Sequence, residues 1–282
     1  MHKNETNDII AETAKYLVLL ITACFTLTPF LFMILSSLRP GSEMVQNGLT
    51  VNLDFTTMTL HNFKALINYN SGLYFLWYKN SILITVMQTA LSLLFCSMVG
   101  YGLAVYDFRG RNIIFVLVLA VMMIPTEILI LPLFKLTIFM NIIDTKAGVI
   151  LPFIVSPFAV FFFRQYAMGI PHDLIDSGRI DGCNEVTIFF RIISPVMLPA
   201  FASIMILQAM NSWNGFVWPL IALRSDTQLT LPIGLMSLLT PYGNNYDVLL
   251  AGSVISIVPI IILFLLNQKA FITGLTVGSV KG

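Results

Sequence analysis

The sequence contains very little charge. Only 10% of its 282 residues are Asp, Glu, Lys or Arg, whereas 57% are hydrophobic. Soluble globular chains carry about 25% charged residues, so this chain lacks the polar surface that water requires. Its net charge of +1 also provides no basic surface for nucleic acid. The composition therefore predicts a polytopic membrane protein and excludes a DNA- or RNA-binding function.

Several kinds of chemistry lack the residues that they need. The three histidines, His2, His61 and His172, are far apart in the sequence and lie in polar segments, so they predict no metal site. The phosphate-binding pattern G-x-x-x-x-G-K-[ST] does not occur, so any ATP hydrolysis would belong to another chain. The apolar runs contain no His or Lys to activate an intramembrane serine. We therefore predict no catalytic residue, no metal and no cofactor bound by this chain.

Six stretches of the sequence are long and apolar enough to span a membrane, which takes roughly 20 residues of helix. The predicted spans are 16–38, 80–106, 112–134, 147–163, 192–223 and 248–268. The charge-free run 227–246 is too rich in Thr, Pro, Gly and Asn for lipid, and we predict an external loop there. The stretch 65–78 is too short to span, and its aromatic residues predict a helical or interfacial piece near the headgroups.

The distribution of Lys and Arg indicates the orientation of these spans. Six spans place both termini on one side of the membrane. Basic residues are denser in the short segments on that side than in the long segments on the other, which predicts cytoplasmic termini. The expected organisation is a cytoplasmic N-terminal segment 1–15, a membrane domain 16–268 and a cytoplasmic tail 269–282.

A polar insert, residues 169–195, lies between the fourth and fifth predicted spans and is the most charge-rich internal segment. Pro171 is suited to the first position of a helix, and Asp176 to its positively polarised N-terminal turn. Gly182 permits a sharp turn, and Asn184 is a good cap for a second helix. We predict two short helices with a glycine break at the cytoplasmic face. Periodicity alone leaves open an ordinary interfacial hairpin.

The spacing inside this insert resembles the EAA loop of ABC-importer permeases, whose pattern is E-A-A, three residues, G, nine residues and I-x-L-P. The chain reads Asp176-Ser177-Gly178, three residues, Gly182, nine residues and Ile192-Ile193-Ser194-Pro195. The departures are Asp for Glu, Ser and Gly for the two alanines, and Ser for Leu. In place of Ala, Gly178 weakens the first helix by about 1 kcal/mol of intrinsic propensity.

Other segments extend the resemblance over nearly the whole chain. Trp213–Leu220 resembles the family segment WN.F.WPL, Thr230–Leu235 resembles TLP.GL, and the residues from Gln268 onward resemble the C-terminal tail of the family. The chain is similar to the maltose-type second membrane subunit of ABC carbohydrate importers. Within that group it resembles the arabino-oligosaccharide permeases of Gram-positive bacteria.

The resemblance implies a fold, partners and a location. The expected fold is an all-α membrane protein with six transmembrane helices of the MetI-like ABC-permease type and a cytoplasmic EAA hairpin. In the bacterial plasma membrane, the chain would pair with a second homologous permease and bind an ABC ATPase dimer that carries ATP and Mg. An extracytoplasmic binding protein would deliver the sugar.

The resemblance also assigns roles to residues of the insert. Asp176 would face an ATPase arginine, and Val186, Phe189 and Phe190 would fill a groove of the ATPase. The full set expected to couple transport to the ATPase is Asp176, Ser177, Gly178, Arg179, Asp181, Gly182, Val186, Phe189, Phe190, Ile192 and Pro195.

Polar residues inside the spans predict a translocation path formed by Glu127, Gln208, Asn211, Ser212, Trp213 and Asn214. Gln208, Asn211 and Ser212 share a helix face by their i, i+3, i+4 spacing. Amides and an indole suit sugar hydroxyls and ring faces, but the same amides also suit hydrogen bonds between helices. Glu127 is an intramembrane carboxylate, which predicts a functional role. Two roles are open for it, namely contact with the sugar and pairing with the partner permease.

The alternative function is a self-contained secondary transporter or channel. Secondary transporters are typically built from inverted repeats and need no cytoplasmic docking hairpin. Six spans with one such hairpin favour the permease subunit of an ATP-driven oligosaccharide importer.

Overall fold

The computed structural model describes residues 2–41, 58–240 and 243–277. The last five residues of the predicted cytoplasmic tail, 278–282, and Met1 of the predicted N-terminal segment lie outside the described residues. Within the described ranges the chain is almost entirely helical, which confirms the expected fold class. We number the elements in chain order.

The α-helices are α1 (His2–Ser37), α2 (His61–Asn68), α3 (Leu73–Val105), α4 (Arg111–Met122), α5 (Ile130–Phe139), α6 (Lys146–Ile150), α7 (Pro157–Ala167), α8 (Asp173–Ile180), α9 (Glu185–Thr187), α10 (Ser194–Val196), α11 (Leu198–Trp213), α12 (Val217–Ala222), α13 (Leu231–Ser237) and α14 (Tyr246–Val277). Three 3₁₀ segments lie at Tyr69–Gly72, Thr126–Leu129 and Leu151–Phe153, and a π-helical turn lies at Ile188–Ile193. Two short strands, β1 (Leu239–Thr240) and β2 (Gly243–Asn244), pair antiparallel with Leu239 opposite Asn244.

Three continuous helical segments of the described chain are long and apolar enough to cross a membrane, namely Glu12–Ser37, His61–Val105 and Tyr246–Gln268. Three bent pairs raise the number to six if each pair is one span. They are Arg111–Met122 with Thr126–Phe139, Lys146–Phe153 with Pro157–Ala167, and Glu185–Val196 with Leu198–Trp213. Each of the six segments overlaps one of the six predicted spans.

The third, fourth and fifth spans are each broken into two helical limbs instead of running as one continuous helix. Their limbs meet at 97°, 44° and 80°, respectively. Proline explains the breaks, because it lacks the N–H that an α-helix needs and disfavours helical geometry in the residue before it. Pro125 and Pro157 lie at the first two breaks, and Pro195 and Pro199 flank the third. The fifth span also ends early, at Trp213, and the chain resumes as α12.

Two predictions about the connecting segments also need correction. The run 227–246 contains a helix, α13, rather than only a loop, and Leu231 and Ile233 on that helix are buried. The stretch 65–78 is not a separate interfacial piece, because its second half is the start of α3. Trp77 is buried, and its indole N–H donates to the carbonyl of Asp226 at 2.7 Å.

The chain forms two compact units. The first comprises the described parts of Met1–Tyr74 and Ser237–Ile257. Within it, the Asn62 side chain donates to the carbonyl oxygens of Ser37 at 2.9 Å and Arg39 at 2.6 Å. Such bonds fix the connection between α1 and α2.

The second unit, Phe75–Met236 with the described part of Val258–Gly282, contains the predicted hairpin and all six predicted path residues. Its core is formed by buried side chains of α3, α7, α8, α11 and the π-helical turn, including Cys96, Phe163, Ile175, Ile188 and Ile204. The hairpin is therefore part of the main core of this unit.

Candidate functional site

The segment 169–195 folds as the predicted hairpin of two short helices. The first helix, α8, carries Asp173 and Asp176 in its first turn. It begins at Asp173 rather than at Pro171. The Pro171 carbonyl accepts a hydrogen bond from the Leu174 N–H at 3.3 Å. The proline closes the first turn from outside the helix, so the predicted helix start is corrected by two residues.

Gly182 and Asn184 make the turn between the two helices, as the sequence predicts. Gly182 has a φ of +78°, a backbone conformation that strains any residue with a Cβ atom. The Asn184 side chain accepts a hydrogen bond from the N–H of Thr187 at 2.8 Å and caps α9. The chain then continues through the π-helical turn and α10 toward α11.

An ionic network joins the two helices of the hairpin. Arg179 donates hydrogen bonds to the carboxylates of Asp176 at 3.2 Å and Glu185 at 2.9 Å. These bonds raise the pKa of Arg179, and the bond to Glu185 has the largest effect. Glu185 also accepts a hydrogen bond at 2.6 Å from the hydroxyl of Tyr106, the residue that follows α3. Burial, and then the Glu185 carboxylate, raise the pKa of Tyr106. The network fixes the hairpin to the end of α3.

Apolar packing holds the base of the hairpin more firmly than these exposed ion pairs, which solvent screens. Ile175, Ile188 and Ile193 are buried in the core of the second unit. Gly178 is also buried, and a Cβ atom there would lie 2.6 Å from Cδ1 of Ile192. A glycine at this position therefore permits the close approach of the two helices.

Phe189 does not belong to the exposed surface predicted for it. Phe189 is only 5% exposed, and 5.3 Å separates the centroid of its ring from that of Tyr101 in α3. Val186 and Phe190 are 63% and 46% exposed, and Ile180, which the sequence analysis did not select, is 86% exposed. The most exposed large apolar residues of the hairpin are thus Ile180, Val186 and Phe190, and Leu174 is exposed to a smaller extent.

The remaining predicted hairpin residues divide by exposure. Ile192 is half-buried against Gly178. The exposed ones are Asp176, Ser177, Arg179, Asp181, Gly182 and Pro195.

A polar cavity of about 380 Å³ brings together three of the six predicted path residues, Gln208, Asn211 and Ser212. Gln208 donates to the hydroxyl of Ser92 at 2.7 Å, and Ser212 donates to the side chain of Gln88 at 3.1 Å. Both bonds join α11 to α3, so the predicted bonding between helices is present. The predicted common face of the three residues is present as well.

The other predicted path residues lie elsewhere. Trp213 is buried and lines a different, apolar cavity. Its ring packs edge-on against the ring of Tyr78, with 5.7 Å between the ring centroids. Asn214 is exposed and donates to the carbonyl of Met210 in its own helix at 3.0 Å. Glu127 is exposed beside the 97° break, and its neighbour Thr126 lines the polar cavity.

Gln88, Ser92 and Tyr106 also contribute to these sites and were not predicted from the sequence. The signal for the first two was available, because they are polar residues at i, i+4 in the middle of a charge-free run. Tyr106 carried no such signal, since its role depends on the position of Glu185 across the fold.

Comparison with known proteins decides which family this architecture represents. A family model described as "Binding-protein-dependent transport system inner membrane component" matches residues 96–274. The chain belongs to this family. It is therefore a multi-pass permease component of the plasma membrane, and the alternative of a self-contained transporter or channel is removed.

Individual relatives are similar over nearly the full chain. The chain is 58% identical to the arabinooligosaccharides transport system permease protein AraQ of Bacillus subtilis (strain 168), over 97% of this chain and 96% of that protein. It is 30% identical to the lactose transport system permease protein LacG of Rhizobium radiobacter, over 96% of this chain and 97% of that protein. These similarities confirm the resemblance to carbohydrate permeases.

A solved structure has the same fold. It is described as the crystal structure of a bacterial ABC transporter involved in the import of the acidic polysaccharide alginate. The TM-score is 0.82 at 24% identity, and the match covers 94% of this chain and 98% of that one.

Proposed function

We propose that the chain is the permease subunit of an ATP-driven, binding-protein-dependent importer of oligosaccharides, with arabino-oligosaccharides as the preferred class. The observation that carries the proposal is a rigid polar hairpin with an exposed apolar surface, built into a chain of the permease family. The 58% identity to an arabino-oligosaccharide permease supports the substrate class.

The hairpin provides the docking surface for the ABC ATPase. Ile180, Val186 and Phe190 are exposed apolar residues on an otherwise charged segment, and exposed apolar groups of this kind are typical of protein contacts. Asp176 adds an exposed carboxylate to this surface for an ATPase arginine. The buried Phe189 supports the surface from behind instead of entering the ATPase groove.

Two connections carry a movement of the hairpin into the membrane domain. Glu185 and Phe189 attach it to the end of α3, through Tyr106 and Tyr101. The second connection is covalent, because the chain runs from the hairpin through the π-helical turn and the 80° bend into α11. Both α3 and α11 line the polar cavity, so displacement of the hairpin by the ATPase changes the cavity.

The remaining partners complete the importer. A second homologous permease forms the other half of the path, and an extracytoplasmic binding protein delivers the sugar. ATP and Mg belong to the ATPase dimer. Both termini are cytoplasmic, with the segment 1–15 before the membrane domain 16–268 and the tail 269–282 after it.

Substitutions at the hairpin test this proposal. Gly182→Pro is incompatible with a φ of +78°, and Asp176→Lys repels Arg179. Both are expected to abolish uptake of arabinotriose and to weaken co-purification of the ATPase, with an unchanged amount of the chain in the membrane.

The matched control is Asp176→Glu, which keeps the carboxylate and matches the family pattern. It is expected to retain uptake and ATPase binding. Normal uptake with Asp176→Lys and Gly182→Pro would remove the hairpin from its proposed role.

A further inference from the structure

The polar cavity between α3, α7 and α11 has properties of a ligand site that its bonds between helices do not explain. Its volume of about 380 Å³ lies in the range of roughly 300–1,000 Å³ that is usual for small-molecule sites. That volume accommodates one sugar ring but not an oligosaccharide. Every residue that lines it belongs to the second unit.

The lining residues select for a neutral, hydroxyl-rich ligand. Among the described residues that line the cavity, none is charged, so an ion or a zwitterion would find no partner charge. Gln88, Gln208 and Asn211 supply carboxamides, each of which offers both a donor and an acceptor. A sugar hydroxyl also donates and accepts, so it matches either end of a carboxamide.

The structural bonds use only part of this hydrogen-bonding capacity. Gln208 and Gln88 each use one end of the carboxamide, on Ser92 and Ser212. The other end of each has no partner within the described part of the chain, and the same holds for the whole carboxamide of Asn211. The cavity therefore presents three carboxamides with unused hydrogen-bonding groups, one on α3 and two on α11.

Aromatic rings form a second wall. Phe153 and Trp218 line the cavity and pack edge-to-face at 6.1 Å, and Phe216 lies in the same lining. The Trp218 N–H is already used by the carbonyl of Gly148 at 3.1 Å, so this ring offers its apolar body alone. Amides on one side and apolar rings on the other suit the two chemical faces of a sugar, its hydroxyls and its C–H bonds.

Broken helices surround the same cavity. Thr126 follows the 97° break, Val155 and Ser156 lie in the 44° break, and Gly215 and Phe216 lie between α11 and α12. Irregular backbone at membrane depth is tolerated where it lines a cavity, and transporters place substrate sites at such discontinuous helices. On α3, Gln88 and Ser92 lie near the middle of Leu73–Val105, as a midplane site requires.

We infer that this cavity is a transient binding subsite for one ring of the transported oligosaccharide, held by Gln88, Gln208 and Asn211 against the aromatic wall. The inference rests on the proposed function and extends it, because it assigns direct substrate contact to this subunit. It also explains why a permease should keep three carboxamides in a membrane-spanning region, where unpaired polar groups are costly.

The test uses the complete importer in proteoliposomes, with radiolabelled arabinotriose as the probe. Asn211→Leu removes only unused polar groups, so it breaks no bond of the described structure. Gln88→Met is a second variant of similar shape. Each is expected to lower uptake about tenfold, equivalent to about 1.4 kcal/mol and to the loss of one or two hydrogen bonds. Sugar retained by the complex after trapping with ATP and vanadate should fall in parallel.

ATPase activity stimulated by the sugar-loaded binding protein should stay within about twofold of the unaltered complex, because the hairpin is untouched. The matched control is Asn267→Leu in α14, whose side chain, among the described residues, bonds only to the carbonyl of Leu263 in the same helix, at 3.0 Å. It should leave uptake unchanged.

Unchanged uptake and unchanged trapping with Asn211→Leu and Gln88→Met would overturn the subsite and leave the importer function intact. Loss of ATPase stimulation together with uptake would also overturn it, since the residues would then act on coupling. Absence of ATP-dependent uptake by the unaltered complex would instead refute the proposed function.

Discussion

Gly178 provides the sharpest test of how the hairpin is packed. The family pattern has Ala at this position, yet a Cβ atom here would lie 2.6 Å from Cδ1 of Ile192 and 3.2 Å from Cγ1 of Ile188. Gly178→Ala gains about 1 kcal/mol of helix propensity. Overpacking of a filled core costs about 1–3 kcal/mol, so we expect a net destabilisation of up to about 2 kcal/mol.

The partner substitution distinguishes this explanation from a simple propensity effect. Ile192→Val removes the Cδ1 atom that meets the new methyl group, and alone it should cost about 0.5–1.5 kcal/mol. Combined with Gly178→Ala it relieves the clash, so the double variant should be more stable than the sum of the single changes by about 1–2 kcal/mol.

The assay is thermal unfolding of the purified chain in detergent, with arabinotriose uptake as the functional readout. Gly178→Ala should lower the unfolding temperature and uptake, and the double variant should lose less unfolding temperature than the two single losses added together. Additive effects of the two changes would refute the close approach of the helices. A rise in stability with Gly178→Ala alone would show that helix propensity outweighs packing at this position.

Three further predictions concern other parts of the molecule. Ile180→Glu should prevent co-purification of the ATPase without lowering the unfolding temperature. Phe108→Glu, which alters an exposed large hydrophobic residue outside the hairpin, should leave co-purification intact; equal loss in both would count against the docking surface. Gly234→Ala should destabilise the chain by about 1–3 kcal/mol, because its methyl group would overlap the ring of Trp77, which the bond to the Asp226 carbonyl holds in place; normal thermal stability would contradict this packing. Hydrogen bonds from the Ser225 hydroxyl and from the backbone N–H groups of Arg224 and Ser225 lower the pKa of Asp144, so these bonds should persist above pH ~3.9, the ordinary aspartate pKa, and be lost as the pH falls through the lowered value. Hydrogen exchange at the two amides measures this, and unchanged protection at low pH would refute it.

Local chemistry explains which parts of the fold were predictable from sequence. Long apolar runs identified six span regions because lipid imposes a minimum length on each. The turn at Gly182 and the cap at Asn184 depend on single residues, and both were predicted. The face shared by Gln208, Asn211 and Ser212 follows from helix periodicity alone.

The failures have a common physical cause, which is packing across the fold. A proline predicts that a helix is disturbed but does not determine whether its two limbs remain nearly straight or meet at 97°. Phe189 and Phe190 are neighbours of the same type, and only the position of Tyr101 on α3 decides which is buried. The exposure of Ile180 and the position of Gln88 in the cavity likewise depend on how distant segments pack.

The central claim is that this chain moves oligosaccharide only as part of an ATP-driven complex. Its most direct test is the accumulation of radiolabelled arabinotriose in proteoliposomes that contain this chain, its partner permease and the ATPase, with the binding protein outside. We expect accumulation that requires ATP inside the vesicles and the loaded binding protein outside, and that stops when any component is omitted. Uptake by this chain alone, without ATP or ATPase, would contradict it.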